Sequence, residues 1–140
     1  MANITCNTYR FLDTGFDGEL MHSHCVYDFA QDTGGTSDTF RMAEVKGKIL
    51  ISLGLLHVET AVTSAGSATI TMGAETADAD AFAAAVGKAT LVDDYAVKTA
   101  AGQLLVVDGA SATDYISMTV GTAALTAGKI DLFLSYYSVD

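Results

Sequence analysis

The 140-residue sequence contains no proline and no tryptophan, two cysteines, three histidines and seven lysines plus arginines. Without proline, the turns fall to Gly, Asp, Ser and Thr, which tolerate or stabilise turn geometry by other means. Without tryptophan, the commonest platform for stacking a sugar ring is missing, and only tyrosine could substitute. Seven cations against 17 Asp plus Glu leave a net charge of −10. That balance argues against nucleic acid, whose phosphates are held by clustered cations, and against an anionic membrane surface. Cys6 and Cys25 are too few for a disulfide framework and are expected to be free thiols. The longest strongly apolar run, ILISLGLLHV at 49–58, is far short of the roughly 20 residues a membrane helix needs. The opening stretch MANITCNTYR has no basic region followed by an apolar one, so no signal peptide is expected, and the protein is expected to be made in a cytoplasm.

What is present is ordered globular composition, half hydrophobic and 17% charged, at a length that suits one domain with a sizeable core. Two sections differ in texture. The front section, 1–41, is rich in Asp, Gly, Thr and aromatics. It is poorly periodic except near 19–29, where Met21, Ser23, Cys25 and Tyr27 alternate with His22, His24 and Val26. One strand flanked by loops, or an arm, is expected there. The body, 42–140, reads as β structure. Val45, Ile49, Ile51 and Leu53 alternate with polar positions, and the parity then slips at Gly54 to Leu56, Val58 and Val62. A glycine where alternation slips marks a bulge or bend.

Residues 60–73 predict a hairpin turning at Ser64-Ala65-Gly66. The Ala-rich stretch ETADADAFAAAVG, 75–87, has acids early and glycine last, which predicts a short helix near 77–86. Runs at 103–107 and 115–120 predict strands on either side of an Asp108-Gly109 turn, and 122–129 predicts a loop. In the final strand Ile130, Leu132, Leu134 and Tyr136 share one face while Phe133 and Tyr137 occupy the other. A strand apolar on both faces belongs in the middle of a sandwich or in a subunit interface. The fold expected is all-β: an antiparallel β-sandwich of jelly-roll or Greek-key type with one short helix.

Chemistry-bearing motifs are few. Asp-Thr-Gly occurs at Asp13-Thr14-Gly15 and at Asp32-Thr33-Gly34. Aspartic proteases use this triplet to pair two carboxylates on one proton. These copies are too close in sequence to come from two lobes, and neither a glycine-rich flap nor a late supporting helix accompanies them. They read as turns. His22 and His24 could share a strand face as the start of a zinc site, with His57, Cys6 or a carboxylate brought in by the fold, yet no ligand-spacing motif supports it. Glu75, Asp78 and Asp80 lack the glycine and terminal glutamate of a calcium loop. Asp93, Asp94 and the carboxylates from Asp108 to Asp114 read as exposed turn residues. No nucleophile elbow, phosphate loop or dinucleotide fingerprint is present. The expectation is a non-enzyme with no catalytic, cofactor-binding or metal residues.

Two stretches, LLHVETAVTSAGSATITMGAETADADAF (55–82) and MTVGTAALTAGKIDLFLSYY (118–137), resemble capsid decoration proteins, or cement proteins, of tailed bacteriophages. The shared features are a Thr/Ala/Val hairpin leading to glycine, the Asp-Ala-Asp-Ala-Phe segment, and a Thr-Ala-Gly-Lys turn into a last aromatic strand. The resemblance covers about 42–140 and implies a β-sandwich, often trimeric, on the outer surface of a virion. Its implied partners are the major capsid protein, whose contacts it stabilises, and further copies of itself; nucleic acid and membrane are not among them. The family brings no catalytic residues. The net charge suits a place outside the shell, away from packaged DNA. The rival expectation is a receptor- or glycan-binding β-sandwich of a phage head or tail fibre, with Tyr9, Tyr27, Tyr95 and Tyr115 as exposed stacking rings.

Overall fold

A computed structural model describes residues 2–12, 18–99 and 105–139. They form β1 (Asn3–Leu12), β2 (Leu20–Asp28), α1 (Phe29–Asp32), β3 (Thr39–Val45), β4 (Lys48–Ser64), β5 (Thr69–Ala74), β6 (Asp78–Gly87), β7 (Ala96–Thr99), β8 (Leu105–Asp108), β9 (Asp114–Gly121) and β10 (Leu125–Ser138). Two sheets result. Sheet I has the order β1-β3-β9-β5-β6, and sheet II the order β2-β10-β4-β7, with β8 pairing a second stretch of β4. All pairings are antiparallel except β1 with β3. The architecture is the expected antiparallel-rich β-sandwich. The front section supplies one strand to each sheet, and position 41 lies inside β3.

Period-two alternation builds the core. Ile130, Leu132, Leu134 and Tyr136 of β10 are buried, as are Ile49, Ile51, Leu56 and Val58 of β4, and they face Phe40, Met42, Ile70, Met72, Ile116 and Met118 of sheet I. Each such side chain contributes roughly 1.5–3 kcal/mol by leaving water. The parity slip on β4 is a bulge. Leu53 pairs Ser135 and Ile51 pairs Tyr136, so Ser52 is the extra residue. Buried positions shift there from Ile49 and Ile51 to Gly54, Leu56 and Val58.

Three local expectations are corrected. The stretch near 77–86 is not a helix but strand β6, paired with β5. Its alanines favour a helix intrinsically, but two groups fix the hairpin instead. The Asp114 carboxylate, from β9, accepts the Thr76 N–H (2.9 Å) and the Ala77 N–H (3.1 Å), and Phe82 and Ala83 enter the core. The helix that does form is α1, capped by Asp28, whose side chain accepts the Ala30 N–H. Residues 64–68 are not a hairpin turn, because β4 lies in sheet II and β5 in sheet I; they carry the chain across the sandwich. The last strand begins at Leu125 rather than after Lys129, although its pairing is irregular as far as Ile130.

The Asp108-Gly109 turn is present, with Asp108 accepting from the Ala110 and Ser111 N–H groups. Gly73, near the end of β5, has no room for a side chain: a Cβ would run into the Asp78 carbonyl oxygen and the Ala79 backbone. At Gly87 a Cβ meets nothing within 4 Å. Gly73→Ala is therefore expected to destabilise the fold by about 1–3 kcal/mol, while Gly87→Ala stays within about 1 kcal/mol of the parent. Urea midpoints of the two variants measure the difference.

Candidate functional site

The two outer faces differ in chemistry. On sheet I the outward residues are mainly polar and tied to one another. Arg41 grips Glu75 through Nε (2.8 Å) and Nη2 (3.1 Å) and lies 3.8 Å above the Tyr115 ring. Tyr9 donates to Glu44 (2.7 Å), and the Thr39 and Thr119 hydroxyls meet at 3.0 Å.

The outer face of sheet II is apolar at its centre. Outward alternation on β10 presents Asp131, Phe133, Ser135 and Tyr137. In register, Phe133 lies beside His24 of β2 and Leu55 of β4, and Leu55 beside Lys98 of β7. Phe133 and Leu55 are each about 40% exposed despite their mid-sheet positions, Leu20 extends the apolar surface along β2, and on the β7 flank Lys98 shares this face. A shallow depression of about 470 Å³ lies among His22, His24, Leu53, Leu55, Phe133 and Ser135.

Beside this patch sits a charged cluster assembled from three strands and a loop. Asp131 is only 3% exposed. Its Oδ1 lies 2.8 Å from His24 Nε2 and its Oδ2 3.1 Å from His57 Nδ1. His57 also approaches Asp94 at 3.5 Å, and Lys129 approaches Glu59 at 3.5 Å. The His24 ring stacks on Phe133 with centroids 4.4 Å apart and planes 9° from parallel. Burial pushes the Asp131 carboxyl up, but hydrogen bonding to His24, His57 and Glu59 outweighs it, so the group sits below the ordinary Asp range. The hydrogen bond to Asp131 holds His57 above the ordinary histidine value, with Asp94 adding to it against desolvation.

The residues weighed in the sequence separate in space. His22 and His24 do share the outer face, but His22 binds Ser135 (3.0 Å) while His24 binds Asp131. Cys25 points the other way, into the core with Cys6, and both are free thiols; burial pushes Cys25 up to about 11. Among the described residues no three or more His, Cys, Asp or Glu side chains are arranged to hold a metal ion. No helix among them is long and apolar enough to cross a membrane.

Asp13-Thr14-Gly15 lies outside the described residues. In the second copy Asp32 is buried and accepts the Asn7 N–H (2.7 Å) and the Asp28 N–H (3.0 Å), and the Thr33 carbonyl accepts from the Tyr27 hydroxyl. This carboxylate ties β1 to the end of β2. Tyr27 is fully buried, not an exposed ring, and Tyr9, Tyr95 and Tyr115 are half-buried. Asp114 is buried rather than an exposed turn carboxylate. The role of Asp131 went unread. Its signal was a lone acid inside the apolar strand IDLFLSYY, where a charge persists only with partners.

Comparison with known proteins finds the fold in phage capsids. A chain of the cyanophage Pam1 capsid asymmetric unit matches with a TM-score of 0.62 at 18% identity, covering 90% of this chain and 89% of that one. A chain of the Ralstonia phage GP4 capsid gives 0.58 at 13% identity, covering 91% and 89%. A chain of the acidic stable capsid of Helicobacter pylori bacteriophage KHP30 gives 0.59 at 12% identity, covering 89% and 92%. At these identities the likeness is one of fold. No family model and no curated protein matches the sequence.

The two shifted groups set a pH window. Asp131, held down, contributes stability above the ordinary Asp value of about 3.9 and loses it as pH falls through its lowered value. His57, held up, contributes fully below the ordinary histidine value of about 6.5 and loses it as pH rises through its raised value. Both contributions are present between about pH 4 and 6.5. Urea titrations across pH should show greater stability in that window than at about pH 8, and Asp131→Asn should abolish the excess. A flat parent profile would refute the linkage.

Proposed function

We propose that this chain is a structural component of a phage virion that decorates the outer surface of the shell and stabilises contacts between major capsid protein subunits. One observation carries the reading: chains from three phage capsids match this one over about nine-tenths of both lengths. The likeness therefore extends to the whole chain rather than to a shared half-sandwich. The strand orders β2-β10-β4-β7 and β3-β9-β5-β6 fit a jelly-roll winding, in which neighbouring strands of one sheet come from distant parts of the chain.

Charge and site chemistry agree with this reading. A protein carrying −10 suits the side of the shell away from nucleic acid. The buried carboxylates Asp32, Asp114 and Asp131 are engaged by N–H groups or imidazoles and serve to tie strands and turns together. Stabilisation of a shell needs area and repetition rather than a reactive group, since modest contacts multiplied by symmetry add up. The same reading makes the protein a homo-oligomer, a trimer being the form the sequence resemblance implies. The glycan-binding alternative gains nothing from the tyrosines. Tyr27 is internal, and the face of Tyr115 is covered by Arg41.

The test uses shells of the major capsid protein from the same virus, prepared without this chain. Added chain should co-sediment with them at a fixed stoichiometry and raise the temperature at which they release DNA. Absence of binding, or binding with no change in release temperature, would sink the stabilising role.

A further inference from the structure

We infer that the outer face of sheet II is the surface through which copies of this chain associate, a second copy being its occupant. The inference rests on the self-associating part of the reading above and assigns it a face. Three observations support it. The first is composition. Phe133, Leu55 and Leu20 are large apolar residues left 40–46% exposed on this face, whereas the face of sheet I is occupied mainly by paired polar groups, with Phe11 exposed on its β1 edge beside Tyr9. Inner and outer faces of β10 are thus both apolar in their middle, the pattern of a strand covered twice.

The second is charge. Whatever covers this face must accept its electrostatics: most charged groups beside the patch are engaged with one another, while Lys98, beside Leu55 in register, has no ion-pair partner among the described residues. His24 and His57 engage Asp131, His57 also Asp94, and Lys129 engages Glu59. On a chain of −10, Asp131 and Asp94 are here engaged by imidazoles and Lys98 stands as an unpaired cation, so an equally acidic copy can approach this face with least repulsion. A basic partner would gain more from the acidic remainder of the surface. The contacts around Asp131 also lower the cost of drying that part of the face.

The third is area. Four strands about 4.8 Å apart, rising about 3.4 Å per residue over a stretch as long as β2, make a face on the order of 600 Å². Two such faces bury on the order of 1,200 Å², the lower bound of stable specific interfaces.

The experiment is native mass by light scattering on the full chain, with Phe133→Asp, Leu55→Asp and Val92→Asp. Val92 is 51% exposed but lies outside the sheets. The parent and Val92→Asp should have at least twice the 14.5 kDa chain mass. Phe133→Asp and Leu55→Asp should have the monomer mass with the parent's circular dichroism. Because an aspartate at 133 could unfold the chain, Ser135→Cys gives a second readout. Its thiol should resist a maleimide in the parent background and become reactive on dilution to monomer, while Cys6 and Cys25 stay buried. A monomeric parent, a multimer that survives folded Phe133→Asp, or a Ser135→Cys thiol freely labelled in the multimer would each overturn the inference. Shell binding separates the two claims. A monomer that still binds shells removes the self-interface and leaves the virion role, whereas a multimer broken at Phe133 that ignores shells does the reverse.

Discussion

Sheet II depends on one pairing: β10 lies between β2 and β4 and is hydrogen-bonded to both along most of its length. Without it β2 and β4 have no common partner, and the inner residues Ile130, Leu132, Leu134 and Tyr136 leave the centre of the core. The same strand presents Asp131 and Phe133 outward. Core packing, the histidine cluster and the apolar patch are thus consequences of one segment's alternation. A change that rotates or slips β10 by one residue would exchange its two faces and disturb all three.

The sandwich is asymmetric in what it offers its surroundings. Sheet I meets solvent mainly with groups already satisfied among themselves, of which the Arg41–Glu75 pair against Tyr115 is the clearest. Sheet II meets it with an apolar centre and paired charges at the side. The two faces of one sandwich thus present different chemistry to their surroundings.

The legible parts of the sequence were those set by local period. Alternation located β4, β9 and the inner face of β10, and the parity slip near Gly54 located a real bulge. Local propensity misled where a distant residue decided. The Ala-rich stretch that became β6 looks helical by itself, but Asp114 and the β5 pairing, neither visible from within the segment, hold it extended. Residues 64–68 look like a hairpin turn because nothing local records that the next strand joins the other sheet. The candidate site was half visible. His22 and His24 were found on one strand face, but the carboxylate that engages His24 lies 107 positions away and also takes His57. Sequence spacing carries no information about such a meeting.

Among the described residues, β5 and β6 are the only strands adjacent in the chain that pair with each other. Every other ladder joins segments separated by at least one further strand or loop excursion. The entropy of closing those long loops must be met before the contacts they bring can reward it. The chain therefore belongs to the slow-folding class of β topologies, on the scale of milliseconds to seconds. Until β10 docks, β2 and β4 expose unpaired edges and apolar residues, so the interval before that event is when the protein is most open to wrong partners.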